Sequence, residues 1–387
     1  MPILRGFSEE REAAKAVADL HRQIAQGPAA TIIFFASPHY DRAELAATLQ
    51  DKFSGQTVIG CTTAGEITSE GYRENTLTGM SFSEVDFTIN PVLIPDLKSY
   101  SMEDGENIVR RGLSGLGLAI PTARSFPTQS FAMLLIDGMS KQEELVVSSL
   151  NSFLDPIPLF GGSAGDNLDF KITWVYLNGS FHTDAALLTL FNTVRPFKVF
   201  KLDHFTPTDQ KMVVTEADPN TRLVMEINAE PAARAYAAMV GLEAQELSPM
   251  IFAAYPVVVK IGGEYHVRAI QKVEDDGSLR FYCGIDEGLV LTVAKGEDLA
   301  SNLERNLKAV QREIGQTDMI LGFDCILRRL EAEQKQQTRE VSDVLRRNKV
   351  IGFSTYGEQF RSMHVNQTFT GVAIGLPRAK PGVKAAE

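Results

Sequence analysis

The sequence predicts an α/β protein with mixed sheets, covering helices and two domains. Two observations carry this. Three apolar strand-like runs, "ATIIFFAS" at 30–37, "SFAMLLIDG" at 130–138 and "TDMILGFDC" at 317–325, are each followed by helical material. Each of those helices leads into a second apolar run that ends in a small polar cluster: "VIGCTTAGEI", "IPLFGGSAGDN" and "KVIGFSTYGEQF". Continuous apolar runs alternating with helices indicate strands covered on both faces.

The elements follow in order. "YDRAELAATLQDKF" is predicted as the first helix, with Asp41 as N-cap and Glu44 three residues on. "SKQEELVVSSLNSF" repeats that spacing with Ser140 and Glu143. The charged run from about Leu327 to Arg347 reads as one long third helix. A further strand follows each motif: "NTLTGMSFS", "HTDAALLTLF" and "NQTFTGVAIGL". "EINAEPAARAYAAMVG" predicts a packed helix capped by Asn228, with Glu230 and Pro231 in its first turn. The expected segments are a helical lead-in at 1–29, a domain at 30–224, a second at 225–376 and a disordered tail at 377–387.

Aligned on the second glycine, the motif cores read CTTAGE, GGSAGD and FSTYGE. This alignment equates Gly65 with Gly165 and Gly357, and Glu66 with Asp166 and Glu358. Loops beyond strand C-terminal ends are where α/β sheets bind ligands. Glycine permits close backbone approach, and hydroxyls and amides hold anions. The candidate ligand-binding residues are therefore Cys61, Thr62, Thr63, Gly65, Glu66, Gly162, Ser163, Gly165, Asp166, Ser354, Thr355, Tyr356, Gly357 and Glu358. The plainer alternative is three tight turns with locally bonded Ser and Thr.

Several function classes are excluded or disfavoured. None of the motifs is a dinucleotide fingerprint, a P-loop or a nucleophile elbow, and no HExxH occurs. The net charge of −11 over 387 residues argues against nucleic acid and anionic lipid as partners. No 18-residue apolar run or signal-peptide core is present, so a cytoplasmic location is expected. Cys61, Cys283 and Cys325 form no CxxC pair. Cys61 has no basic neighbour in sequence and reads as a buried small residue.

Jointly, "VIGCTTAGEI", "LLIDGMS", "LFGGSAGDN", "VVTEADPNTRLVMEINAEPAARAYAAMVG", "DDGSLRFYCGIDEG" and "IGFSTYGE" resemble the FIST family, over about Ala30 to Leu376. The resemblance implies N- and C-terminal FIST domains and a non-enzymatic sensory protein of signal transduction. It implies small-molecule ligands, with amino acids proposed. Some free-standing members bind haem, sense nitric oxide and act through a histidine kinase, and that is the first expectation here. A free amino acid or other small polar metabolite is the second. An enzyme using Glu66, Asp166 or Glu358 is the third.

Any haem would be held non-covalently, since CxxCH is absent. His204, in "FKVFKLDHFTPTD", is the first candidate iron ligand, with Lys198 and Lys201 placed for propionates. His364 and His182 follow as cofactor-binding candidates. A partner histidine kinase, or a second copy of the chain as a homodimer, is expected to dock by contact. "LRRLEAEQKQQTREVSDVLRRNK", with arginines at 328, 329, 346 and 347, reads as a solvated helix face or as that docking helix.

Overall fold

The computed structural model describes residues 2–27, 30–121, 128–261 and 263–377. The expected tail at 377–387 lies outside these but for its first residue. Three β-α-β units form a closed ring. The first unit lays strands Leu4–Ser8, Leu77–Phe82, Thr31–Ala36 and Thr57–Thr62 side by side. The second does the same with Phe87–Ile94, Ala186–Thr193, Ser130–Ile136 and Leu159–Ser163. The third uses Phe197–Leu202, Phe369–Gly375, Thr317–Cys325 and Val350–Thr355. In each unit the two central strands are parallel and the others antiparallel.

Each unit also exports a hairpin to a neighbour. Glu66–Thr68 with Gly71–Arg73 completes the third sheet beside Val350–Thr355. Val175–Leu177 with Ser180–His182 completes the first beside Thr57–Thr62. Glu358–Phe360 with Met363–Val365 completes the second beside Leu159–Ser163. First to third, second to first, third to second: the exchange closes a ring with three-fold pseudo-symmetry.

Side-chain alternation explains the layering. Ile33 and Phe35 point to a core shared by all three sheets, while Ile32 and Phe34 face the unit's own helices. Phe131 and Phe160 from the second sheet, with Phe323 and Phe353 from the third, meet there. Phe35 lies 4.7 Å from Phe353, and Phe160 5.4 Å from Phe323. Helices cover the outer faces, which is why these runs are apolar throughout.

Residues 205–296 form the second domain, inserted between Phe197–Leu202 and the helix Leu299–Ile314. It is an eight-stranded antiparallel sheet with its own core around Val224, Tyr236, Phe252, Phe281 and Val293. The expected boundary at 224/225 falls within its strand Leu223–Ile227. The chain leaves the ring at His204 and returns at Glu297, whose N–H donates to the His204 carbonyl at 2.7 Å.

Two helix starts differ from expectation, and one expected helix is two. Asp41 does cap Arg42–Lys52, accepting from Glu44 N at 2.8 Å. Ser140 does not cap; its Oγ accepts from Gln142 N and the helix begins at Glu143. Asn228 has φ 55° and accepts instead from Val213 N at 2.8 Å, so the helix Ala232–Val240 starts after Pro231. The run at 327–347 is two helices, Ile326–Gln334 and Thr338–Arg347. Gln336 at φ 57° ends the first, with Gln337 N bonded to Ala332 O at 2.7 Å.

Candidate functional site

The three motifs meet at one end of the ring, as C-terminal continuations of parallel strands. There they bond to one another. Ala64 N donates to Ser354 O at 2.9 Å, Gly165 N to Thr62 O at 3.0 Å, and Tyr356 N to Ser163 O at 3.3 Å. This pattern corrects the sequence alignment by one residue. Strand registers pair Thr62, Ser163 and Ser354 with Ala36, Ile136 and Asp324. Asp166 is therefore the counterpart of Gly65 and Gly357, and Asn167 that of Glu66 and Glu358.

Cys61, Thr62, Thr63, Gly65, Glu66, Gly162, Ser163, Gly165, Asp166, Ser354, Thr355, Tyr356, Gly357 and Glu358 are all buried. Most of their polar groups are spent locally. Glu66 accepts from Thr63 Oγ1, and from Thr76 N and Oγ1 at 3.1 and 2.7 Å. Glu358 accepts from Thr368 N and Oγ1 at 3.2 and 2.7 Å, the same pairing ten residues on. Asp166 accepts from Phe170, Lys171 and Ile172 N–H groups at 2.9, 2.8 and 2.9 Å, and from Tyr356 OH. Each carboxylate thus has its own set of donors. Burial pushes the Glu66 carboxyl up to about 7 against the pull of its hydroxyl and amide donors. Burial raises Glu358 as well, and lifts the Cys61 thiol well above the ordinary range, which leaves it a poor nucleophile.

Tyr356 alone of the fourteen lines the cavity that the two domains enclose. That cavity holds about 470 Å³. The ring contributes Gly138, Met139, Lys141, Glu143, Phe170, Tyr356 and His364; the inserted domain contributes Thr221, Arg222, Gln271, Lys272, Arg280, Phe281 and Tyr282. Phe170 stacks on Tyr356 at 4.5 Å, with Tyr282 beyond it at 6.4 Å. Arg222 bridges the domains, reaching Glu143 at 2.9 Å, Glu144 at 2.8 Å and its own domain's Tyr282 O at 2.6 Å. Sequence reasoning missed Lys141, Arg222 and Tyr282. Arg222 in "NTRLV" and Tyr282 in "RFYCG" read as ordinary strand sequence until the insert folds over the ring, and Lys141 in "SKQEEL" reads as the start of a helix.

The three histidines part company. His204 is 1% exposed, and both ring nitrogens are occupied: Nε2 by Glu331 at 2.8 Å and Nδ1 by Arg328 Nη1 at 2.8 Å. Arg328 in turn binds Asp324 at 2.6 Å, and Asp324 accepts from Tyr72 OH. This network joins three segments: the exported first hairpin, the third unit and the insert junction. Burial lowers the His204 pKa, with Glu331 opposing. Arg328 and Arg329 are thus internal, Arg329 bonding Ala64 O at 3.3 Å and pairing with Glu74. Only Arg346 and Arg347 of the four are exposed; they pair with Asp343 and Glu304. His182 is half-buried opposite Val175. His364 lines the cavity, its pKa lowered chiefly by burial.

The surroundings of His204 and His364 are a poor fit for haem. An iron bond at His204 would break a buried hydrogen bond, Lys198 is held by Glu313 at 2.6 Å, and Lys201 sits between Asp203 and His266. The cavity beside His364 has Lys141, Glu143, Arg222, Lys272 and Arg280 in its walls, where a macrocycle needs apolar faces. Among the described residues no group of three or more His, Cys, Asp or Glu side chains is placed to hold a metal ion. Among them, too, no helix is long and apolar enough to cross a membrane.

The ring of α/β units and its inserted domain thus border one cavity of mixed polar and aromatic lining. The FIST N domain matches residues 30–230 and the FIST C domain residues 232–361, and the chain belongs to this family. FIST domains have a general non-catalytic role in sensing and signalling. A search of curated proteins gives no match.

Proposed function

We propose that the protein is a sensor of a free amino acid or a closely related small polar metabolite, bound in the cavity between the ring and the inserted domain. The observation that carries this is the composition of that cavity. Its volume suits a small metabolite. It offers cations for a carboxylate, Glu143 for an ammonium group, and the Phe170–Tyr356–Tyr282 wall for the apolar part. Lys141 makes no ion pair among the described residues, so it meets a ligand carboxylate without losing a partner.

Occupancy is reported by contact. A ligand touching both domains favours whichever relative placement it binds better. The Arg222 bridge to Glu143 and Glu144 is the element it biases. A histidine kinase as the recipient rests on the family resemblance alone.

The test is thermal melting against the twenty amino acids. A ligand at about 100 times its dissociation constant adds about 2.7 kcal/mol. At least one amino acid is expected to raise the melting temperature of wild type, and to do so less in Lys141→Ala and Tyr282→Ala. No response to any of them overturns the amino-acid reading.

A further inference from the structure

The cavity wall is uneven in charge. Lys141, Arg222, Lys272 and Arg280 line it against one carboxylate, Glu143, and burial lowers the pKa of His364, which keeps it neutral near pH 7. Arg222 is already met by Glu143 and Glu144. The surplus falls in two places. On the ring side, Lys141 makes no ion pair among the described residues. On the inserted domain, Lys272 and Arg280 share a single carboxylate: Glu274 takes Lys272 Nζ on one oxygen at 2.9 Å and Arg280 Nε on the other. Arg280 Nη1 donates to the uncharged Thr221 carbonyl at 2.8 Å. Thr221 and Gln271, beside them in the same wall, add no negative charge.

The backbone marks the ring side and the domain bridge as well. Lys141, Phe170 and Arg222 hold φ angles of 58°, 52° and 59°. This left-handed region is uncommon for residues other than Gly, Asn and Asp, and strain of this kind gathers at ligand clamps. All three residues line the cavity.

We propose that the ligand is a dicarboxylic amino acid, aspartate or glutamate, held at its α-carboxylate by Lys141 and at its side-chain carboxylate by Lys272 and Arg280. This rests on the amino-acid reading above and narrows it. An amino acid with its α-carboxylate on Lys141 and its ammonium group on Glu143 uses the ring side alone. A side chain ending in a carboxylate neutralises the surplus on the insert; an amide or an alkyl side chain leaves two cations sharing Glu274. An acid at both ends also ties the two domains by charge, and so favours the placement in which both cationic sites reach it.

The experiment is calorimetric titration of the full chain with L-glutamate, L-aspartate, L-glutamine, L-asparagine, L-leucine and glutarate. One of the two acids is expected to bind about tenfold tighter than its amide. The double variant Lys272→Gln, Arg280→Gln is expected to erase that preference and leave the amide's affinity unchanged. Glu274→Gln removes the competing carboxylate and is expected to tighten the acid several-fold, a gain that misfolding cannot produce. Lys141→Asn, in which asparagine tolerates the left-handed backbone, is expected to melt as wild type does and to bind acid and amide alike more weakly. Amides or leucine binding as tightly as the acids, or a preference that survives in the double variant, overturns the acidic ligand and leaves the amino-acid sensor standing. Glutarate binding without any amino acid keeps the two cationic ends and removes the amino-acid reading. No binding by any probe overturns both.

Discussion

Replacing Glu66 by glutamine tests the electrostatics of the ring junction. Glu66 is fully buried and its carboxyl is pushed up to about 7, against an ordinary value of 4.5. The folded state therefore binds a proton more tightly than the unfolded one. Stability from this group is fully present below pH 4.5, falls as pH rises through 4.5 to 7, and is lost above. A carboxyl held near 7 rather than 4.5 corresponds to about 3 kcal/mol. Glu66→Gln keeps the shape and a carbonyl acceptor for Thr76 but cannot ionise. It is expected to be more stable than wild type at pH 8, by up to about 3 kcal/mol, and to lose much of the wild-type slope between pH 4.5 and 7. Glu358, raised in the same way, leaves a residual slope in the mutant. Urea midpoints measured across pH 4.5 to 8.5 provide the assay. Parallel pH curves for the two proteins would refute the argument, since they would mean that Glu66 titrates alike in both states.

Other outcomes follow from the same contacts. Gly65→Val should destabilise by about 1–3 kcal/mol or more, because Gly65 has φ 114° and a Cβ there overlaps Arg329 Nη1; an unchanged urea midpoint would show the glycine to be incidental. Asp324→Ala strands the fully buried Arg328 and should cost about 3–5 kcal/mol, read by denaturant melting. Native Cys61 should resist thiol reagents that modify it promptly in urea, as a buried thiol with a raised pKa requires. Haem titration should give the spectrum of free haem, and His204→Ala should not change it; a wild-type Soret shift lost in that mutant would restore His204 as a ligand.

The strand–helix–strand repeats were legible because each is local. "TIIFFA", "SFAMLLI" and "TDMILGFDC" are strands with two apolar faces, and their spacing from the motifs repeats. The hairpin exchange was not legible, because Glu66–Thr68 pairs with a strand some 290 residues away and nothing in "EIT" names its partner. The alignment error has a related cause. The glycine–acid dipeptide is the salient feature of each motif, yet equivalence is set by backbone pairing, which makes Asp166 the counterpart of Gly65 and Gly357. The polar groups of the motif residues serve the junction between units. The cavity beside them draws half its lining from the insert, whose residues Arg222, Arg280 and Tyr282 carry no motif. The aromatic neighbours of His204 are visible in sequence, whereas its partners Arg328 and Glu331, more than 120 residues on, are not.

The central claim is that a small metabolite binds between the ring and the inserted domain. A crystal structure of the chain grown with the amino acid that most raises its melting temperature tests this directly. Ligand density is expected among Phe170, Tyr282, Tyr356 and His364, with a carboxylate near Lys141. Density elsewhere, such as the groove beside Tyr100 and Arg111, with this cavity holding only water, would contradict it.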